Sequence, residues 1–345
     1  MRLPKTAVQS IIEYAEFCGI QVAFVKAPCM RTRKKGRTRS ESGFGIAKIK
    51  QIEKDFLMDN NGSNAAIRGK VHFIGIGGCS MNGLAQILRG RGFEVQGSDS
   101  TTSPFTKRLE ELGIPVFIGH DPKNVEGCGT VIYSAAIKPD NPERVRAREL
   151  GIPEIERSVA LGIISQSYRE VIGIAGCHGK TTITSMLALI AENGGLDATV
   201  HVGGMVDFLH GGIRLGSHDL FVTEACEYVE SFLTLHPTVV LINNIDNDHL
   251  DYFKTMDNIV NAFRKFVARM PADGLFVGCT DDSHVRQLLG EFDGRKTTYG
   301  LVCTNSPDYY PADVHYDELG CASFDLMHRG ERLGRVTLHV PGQHN

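Results

Sequence analysis

A short glycine-containing loop carries the residues of this sequence best suited to chemistry. Residues 176–182 read Gly-Cys-His-Gly-Lys-Thr-Thr, between an apolar run and a helical pattern. In such a loop, backbone amides surround the β- and γ-phosphates of a nucleotide, the lysine places a positive charge on them, and a hydroxyl ligates Mg²⁺. Ile174 stands where the common form has a further glycine, so this loop is a shorter variant. The predicted nucleotide-binding residues are Gly176, Cys177, His178, Gly179, Lys180, Thr181 and Thr182.

Carboxylate and imidazole groups that follow later apolar runs are candidates to complete a metal site. Glu224 comes directly after a strand predicted over 219–223, and Asp248 and His249 come after a strand predicted over 239–243. The carboxyl ends of parallel strands share one edge of a sheet, where ligands collect. The structural alternatives are a solvated strand end for Glu224 and a hydrogen-bonded core histidine for His249.

A second glycine run, earlier in the chain, is suited to a diphosphate. Residues 75–80 read Gly-Ile-Gly-Gly-Cys-Ser, between a predicted strand and a predicted helix. Amides at a helix N-terminus bind a diphosphate, and an acidic residue at the tip of the next strand commonly bonds a ribose. The predicted residues are Gly75, Gly77, Gly78, Ser80 and Asp99. A tight structural turn, a nicotinamide cofactor and a capping role for Asp99 remain open at this point.

Two α/β units are predicted to position these loops. The first unit has strands predicted at 71–74, 93–96, 115–118 and 130–133, and helices at 81–89, 106–112 and 142–150. Asn141 is predicted to cap the last of these helices, and Gly151 follows it. This β-α-β-α-β order is typical of a doubly wound, Rossmann-like parallel sheet.

The second unit repeats the alternation and ends in an antiparallel pair. Its strands are predicted at 171–175, 219–223, 239–243 and 275–278, its helices at 182–193 and 256–268, and the pair at 323–327 and 336–340 around Arg329-Gly330-Glu331. With the loop at 176–182, this pattern predicts a P-loop-type α/β ATPase domain. The boundary between the units is predicted near 161–169.

Composition excludes several classes of protein. The 345 residues are 42% hydrophobic and 22% charged with a net charge of −3, which gives no whole-chain case for a nucleic-acid or membrane partner. No apolar stretch approaches the ~20 residues that span a bilayer. Nine cysteines with no C-x-x-C pair argue against a disulfide framework and a zinc site, and indicate a reducing, cytoplasmic location.

The head of the chain differs from the rest. Residues 1–57 hold 12 Lys and Arg but 5 Asp and Glu, with six of the basic residues crowded into 31–39. We expect an appended or mis-started, solvated extension, with Met58 as a plausible first residue; a nucleic-acid-binding tail is the alternative.

Four runs, taken together, resemble the Mur ligases of peptidoglycan synthesis. They are 72–78, 176–182, 224–228 and 244–249, in that order, and the resemblance covers residues 69–345. Within that family, His178 favours either the branch that adds L-alanine to UDP-N-acetylmuramate or the tripeptide-recycling branch, and Gly77-Gly78 favours the former. Cys177 departs from the family, which often has threonine there.

The resemblance implies a domain plan. A UDP-sugar-binding Rossmann-like domain is expected at 69–165 and a central ATP-binding domain at 166–341, with 1–68 as the unmatched extension. Residues 342–345 resemble the start of the linker to a third domain, so we expect this chain to lack that domain. His344 and Asn345 are expected to face the adenine.

The resemblance also implies a reaction. The lactyl carboxylate of UDP-N-acetylmuramate attacks the γ-phosphate of ATP, and the amine of L-alanine then displaces phosphate from the resulting acyl phosphate. The implied catalytic residues are Lys180, Glu224 and His249. The implied metal ligands are Thr181 and Glu224 for one Mg²⁺ and His249 for a second.

Other classes stay open from the sequence alone. They are another Mur-type ligase such as the tripeptide-recycling enzyme, a nucleotide-binding fragment without ligase activity, an NAD-dependent oxidoreductase and a folylpolyglutamate-type ligase. Oligomeric state is not encoded in any motif of the sequence.

Overall fold

The computed structural model describes residues 67–206, 209, 211–216 and 219–342. The predictions for the basic head, for His344 and for Asn345 lie outside these residues.

The first unit is built on a five-stranded sheet in which all neighbouring strands are parallel. Its strands are β1 (Val71–Ile74), β2 (Val95–Asp99), β3 (Val116–Ile118), β4 (Thr130–Tyr133) and β5 (Glu154–Glu156). Their spatial order is β3-β2-β1-β4-β5, so the predicted doubly wound parallel sheet is confirmed. The predicted strand at 93–96 was placed too early, because β2 runs on to Asp99.

Four helices connect and flank this sheet. They are α1 (Cys79–Gly90), α2 (Pro104–Glu111), α3 (Pro142–Glu149) and α4 (Arg157–Ser165). The Asn141 side chain accepts hydrogen bonds from the amides of Glu143 and Arg144, as its predicted capping role requires. Gly151 has a φ of +68°, the left-handed conformation that ends the helix.

The second unit contains a ten-stranded sheet. Its strands are β6 (Glu170–Ala175), β7 (Thr199–Val206), β8 (Gly211–Arg214), β9 (Leu220–Glu224), β10 (Val239–Ile242), β11 (Leu275–Cys279), β12 (Arg295–Tyr299), β13 (Tyr309–Tyr316), β14 (Cys321–His328) and β15 (Glu331–Pro341). The order is β15-β14-β13-β12-β11-β10-β6-β9-β7-β8. Strands β6, β9, β10, β11 and β12 pair in parallel with both neighbours. Strands β7 and β13 each have one parallel and one antiparallel neighbour, and β8, β14 and β15 pair only antiparallel.

Helices cover this sheet as an α/β ATPase plan requires. They are α5 (Lys180–Asn193), α6 (Leu250–Phe253), α7 (Met256–Val267) and α8 (Ser283–Glu291), with a 3₁₀ stretch at Tyr228–Thr234. The predicted antiparallel pair is present as β14 and β15, but β15 starts at Glu331, five residues before the predicted strand at 336–340. Arg329 and Gly330 form the turn, with φ of +49° and +93°. These left-handed conformations make a tight turn, so the paired strands extend up to the turn, beyond the apolar residues that predicted them.

The two units share one hydrophobic core. Helix α1 packs against β7 and β8, and α4 packs against the 3₁₀ stretch at Tyr228–Thr234. A single buried cluster includes Phe73 and Leu84 of the first unit together with Phe221 and Phe263 of the second. No helix in the described part of the chain combines the length and apolarity needed to cross a membrane.

Candidate active site

The loop at 176–182 connects β6 to α5, which is the strand–loop–helix setting predicted from its sequence. Gly176 has a φ of +135° and Gly179, the N-cap of α5, has a φ of +85°, so both glycines take conformations that side chains disfavour. A Cβ on Gly179 would lie 3.0 Å from Nδ2 of Asn243. The loop therefore folds tightly onto the end of β10 and leads into the N-terminus of a 14-residue helix, where free amides and the helix dipole favour an anion.

The neighbouring segment after β10 holds the loop in place. The Cys177 amide donates to the carbonyl of Asn244 at 3.2 Å, and the His178 amide donates to Oδ1 of the same asparagine at 2.8 Å. The amide of Asp246 donates to the Cys177 sulfur at 3.1 Å. Burial raises the pKa of the Cys177 thiol to about 11, so this side chain is a neutral structural link between the loop and residues 244–246.

Lys180 is fully engaged in an ion pair that sequence reasoning missed. Its ammonium donates to the carbonyl of Gly176 at 2.6 Å and to the two carboxylate oxygens of Glu227 at 3.1 and 2.9 Å. The Glu227 side chain is 1% exposed and that of Lys180 is 16% exposed. The signal available in the sequence was the second acid of Glu224-Ala-Cys-Glu227, but no periodic pattern points to it because the segment is irregular.

Glu224 and Thr181 face a common cavity. This cavity has a volume of about 420 Å³ and is lined by residues of both units, among them Ser80, Arg157, Lys180, Thr181, His201, Gly203 and Glu224. Glu224 is the last residue of β9, at the carboxyl edge of the sheet, as predicted. Its Oε1 is buried and has no hydrogen-bond partner among the described residues, which is the state of a carboxylate oxygen suited to a cation. Thr182 lies one residue further into the first turn of α5.

His249 belongs to a cluster with two carboxylates. Ligand atoms of Glu227, Asp248 and His249 all lie within 4.8 Å of one another, and His249 Nε2 is 3.8 Å from Glu227 Oε1. The Tyr228 ring lies against the imidazole with centroids 4.6 Å apart. Two carboxylates and an imidazole are a donor set that suits a hard divalent cation such as Mg²⁺ or Mn²⁺. The predicted ligand set of Thr181, Glu224 and His249 stays a prediction, and the structure adds Glu227 and Asp248 beside it.

The first glycine run forms the predicted turn between β1 and α1. Gly75 has a φ of +83°, and Gly78 is the N-cap of α1 with no side chain bonded to the helix amides. Asp99 Oδ2 accepts a hydrogen bond from the Gly77 amide at 2.8 Å. Asp99 therefore supports the glycine turn, which agrees with the capping role that the sequence left open. A bond from Asp99 to a ribose remains a prediction.

Ser80 connects the first unit to the second through a buried histidine. The Ser80 hydroxyl lies 3.1 Å from His201 Nε2, and His201 Nδ1 lies 3.2 Å from the hydroxyl of Thr223, the residue before Glu224. Burial lowers the pKa of His201 to about 4, with the nearby positive charge of Arg157 acting in the same direction, so the ring is neutral near pH 7. The Thr223 hydroxyl also donates to the Glu224 carbonyl, so the contacts of the ring extend to the residue at the end of β9.

Comparison with known proteins agrees with this geometry. A family model described as "Mur ligase family, catalytic domain" matches residues 70–169, and one described as "Mur ligase middle domain" matches residues 174–345. Over 80% of its length, the chain is 45% identical to the UDP-N-acetylmuramate–L-alanine ligase of Caldanaerobacter subterraneus and 46% identical to that of Acetivibrio thermocellus. It spans 60% and 58% of the length of these two curated relatives.

Solved structures show the same fold. The crystal structure of the UDP-N-acetylmuramate–alanine ligase of Thermotoga maritima superposes with a TM-score of 0.70 at 30% identity, over 80% of this chain and 62% of that one. The UDP-N-acetylmuramate:L-alanyl-γ-D-glutamyl-meso-diaminopimelate ligase of Neisseria meningitides also gives a TM-score of 0.70, at 28% identity, over 81% and 90% of the two chains.

Proposed function

Since this chain belongs to the Mur ligase family, we propose that it binds the UDP-sugar and ATP in a ligase that joins L-alanine to UDP-N-acetylmuramate for peptidoglycan synthesis. The observation that carries the proposal is the cavity of about 420 Å³, in which Ser80 and Arg157 of the first unit face Lys180 and Glu224 of the second. A reaction between a sugar nucleotide and ATP needs such a meeting point, because the two anions must be held side by side.

The two units divide the substrates between them. We assign the UDP-sugar to residues 69–165, where the amides after Gly78 and the Arg157 guanidinium favour its phosphates. We assign ATP to residues 166–341, with the amides of 176–182 around its β- and γ-phosphates. The finer assignment of each loop residue is part of this proposal.

The proposed chemistry has two steps. A lactyl carboxylate oxygen attacks the γ-phosphorus as the bond to the β–γ bridging oxygen breaks, which yields an acyl phosphate and ADP. The amine of L-alanine then attacks the acyl carbon, loses a proton and expels phosphate. Catalysis of the first step is chiefly alignment and neutralisation of repelling anions, which Lys180 and the loop amides provide. When bound, Mg²⁺ supplies further positive charge to the phosphates; Thr181, Glu224 and His249 are the proposed ligands.

One observation favours the alanine-adding branch: the curated alanine ligases to which this chain is similar are 42–46% identical to it. An NAD-dependent oxidoreductase would leave Gly179-Lys180-Thr181 without a role. Membership of the Mur ligase family also argues against an oxidoreductase. The folylpolyglutamate-type alternative lacks a separate N-terminal nucleotide-sugar domain.

Two measurements on the purified chain test the proposal. Calorimetry is expected to detect binding of a non-hydrolysable ATP analogue with Mg²⁺ and of UDP-N-acetylmuramate, and no heat with either would refute it. Release of ADP is then followed with UDP-N-acetylmuramate and L-alanine, glycine, L-serine or the tripeptide as acceptor. Release that depends on L-alanine supports the ligase; binding of both nucleotides without release supports the nucleotide-binding fragment instead.

A further inference from the structure

The ammonium of Lys180 has no donor left for a phosphate. An ammonium group has three protons, and here its acceptors are the Gly176 carbonyl and both oxygens of Glu227, with the Cys177 carbonyl at 3.3 Å as a fourth. For Lys180 to contact a triphosphate, as the proposed function requires, these bonds must break. The pair with Glu227 therefore competes directly with the nucleotide.

Glu227 cannot lose Lys180 without a replacement. Its side chain is 1% exposed, and Nε2 of His249, 3.8 Å from Glu227 Oε1, lies beyond hydrogen-bonding distance. Removing one partner of a buried ion pair leaves an uncompensated charge, which is strongly unfavourable. Some other cation has to approach the carboxylate when Lys180 turns away.

The surroundings of Glu227 are suited to a divalent cation. Asp248 and His249 offer a second carboxylate and an imidazole, with all the ligand atoms within 4.8 Å of each other. In the structure the Lys180 ammonium supplies positive charge next to this cluster.

We propose that Glu227 is an exchange residue. It holds Lys180 in the nucleotide-free chain and transfers to a divalent cation when Lys180 turns to the triphosphate. Nucleotide and cation then bind cooperatively, because each one compensates the charge that the other exposes. The part of this inference that concerns nucleotide binding rests on the proposed function. The competition between Lys180 and a cation for Glu227 does not depend on that function.

The cation half is tested without nucleotide. Mn²⁺ binding to the chain is measured by the loss of the free-ion electron paramagnetic resonance signal, in wild type, Lys180→Met, Lys180→Met/Glu227→Gln and Lys180→Met/Glu230→Gln. Glu230 is the matched control, since it is a carboxylate of the same segment that pairs with Lys265 at 2.8 Å. Circular dichroism and thermal unfolding establish that each variant is folded.

We expect Lys180→Met to bind Mn²⁺ about 10-fold more tightly than wild type, within the usual range of coupling between two sites. The Glu227→Gln double variant returns to the wild-type affinity or below it, while the Glu230→Gln double variant keeps the gain. Unchanged affinity in Lys180→Met, or a gain that survives Glu227→Gln, would overturn the exchange.

The nucleotide half is tested in EDTA. The single variant Glu227→Gln releases Lys180, so it is expected to bind a non-hydrolysable ATP analogue several-fold more tightly than wild type when no divalent cation is present. Equal or weaker binding by the variant contradicts the exchange. If wild type binds no analogue even with Mg²⁺, the proposed function fails, and the Mn²⁺ titrations still decide whether Lys180 and a cation compete for Glu227.

Discussion

The hydroxyl of Ser80 lies 3.1 Å from Nε2 of His201, a residue 121 positions further along the chain. This contact joins the first turn of α1 in one unit to β7 in the other. A Cβ on Gly83, one turn along the helix, would lie 2.9 Å from the imidazole, so a glycine is what lets α1 approach His201 so closely. Through Thr223 the same imidazole reaches the strand that ends in Glu224. One buried ring thus sets the position of two cavity-lining side chains from different units.

His201 is predicted to make stability depend on pH between about 4 and 6.5. Its pKa is lowered from 6.5 to about 4, so between these values the unfolded chain binds a proton that the folded chain does not. Stability is therefore retained above pH 6.5 and lost as the pH falls toward 4. Urea unfolding at several pH values is expected to show this slope in wild type and a shallower one in His201→Gln. The matched variant His339→Gln, at an exposed histidine, should retain the wild-type slope.

Glu224 is predicted to set the requirement for Mg²⁺. Its buried Oε1 has no hydrogen-bond partner in the described structure, and this is the reason we propose it as a metal ligand. Glu224→Ala should raise the Mg²⁺ concentration for half-maximal nucleotide binding by at least the roughly 10- to 100-fold typical of residues that support a metal ligand. Calorimetry with an ATP analogue over a series of Mg²⁺ concentrations measures this. Glu192→Ala, at an exposed carboxylate near the end of α5, is the control, and an unchanged titration for Glu224→Ala would remove that residue from the site.

Glu143 is predicted to be the most costly carboxylate to remove from the first unit. It is fully buried and accepts hydrogen bonds from Ser98, His120 and Asn124 at 2.5, 2.9 and 2.7 Å. Burial raises its pKa, but His72 and the hydrogen bonds from Ser98 and Asn124 outweigh burial and lower it overall.

Glu143→Ala leaves several buried donors unpaired, so the free energy of unfolding in urea should fall by about 3 kcal/mol. Glu149→Ala, at an exposed carboxylate paired with Arg146, should cost ~0.5 kcal/mol or less. The contribution of Glu143 is present above pH 4.5 and is lost as the pH falls below that value, so its window lies mostly below that of His201. Similar losses for the two variants would contradict the prediction that Glu143 stabilises the first unit as the shared acceptor of these hydrogen bonds.

Two helical glycines are predicted to respond to alanine with opposite signs. A Cβ on Gly162 of α4 would overlap the carbonyl oxygen of Thr234, whereas a Cβ on Gly290 of α8 meets nothing within 4 Å. Gly162→Ala forces α4 away from the segment that follows Glu227 and should cost about 1–3 kcal/mol. Gly290→Ala should stabilise by about 0.4–1 kcal/mol. Thermal and urea unfolding of both variants measure the difference; a stabilising Gly162→Ala would show that this contact is not tight.

Cys177 is predicted to resist alkylation although it lies in the nucleotide loop. Its thiol is buried, its pKa is raised to about 11, and its sulfur accepts the Asp246 amide. Cys226 and Cys303 are exposed. With iodoacetamide at pH 8, peptide mapping by mass spectrometry should find the two exposed cysteines modified well before Cys177. Modification of Cys177 at a rate equal to theirs would mean that the loop opens readily in solution.

Features that depend on neighbouring residues in the chain were predictable. The Asn141 cap, the Arg329-Gly330 turn, the parallel sheet of the first unit and the strand–loop–helix around Lys180 are all present in the structure. Each is specified by short-range backbone chemistry: a side-chain oxygen near helix amides, a left-handed residue, or an apolar run of strand length. The strands β5, β7, β8, β12 and β13 were missed because they are short or carry polar residues that obscure the alternation.

By itself, the sequence determined the family, the fold class and the strand–loop–helix around Lys180, because these depend on local order along the chain. Only the tertiary structure decided that Lys180 is paired with Glu227, 47 residues away, and that Ser80 is paired with His201. Those partners follow from how strands and helices pack, and the free energy of a buried charge or hydroxyl depends on the groups that surround it in space. The spacing of residues along the chain therefore does not predict which groups surround Lys180 or Ser80.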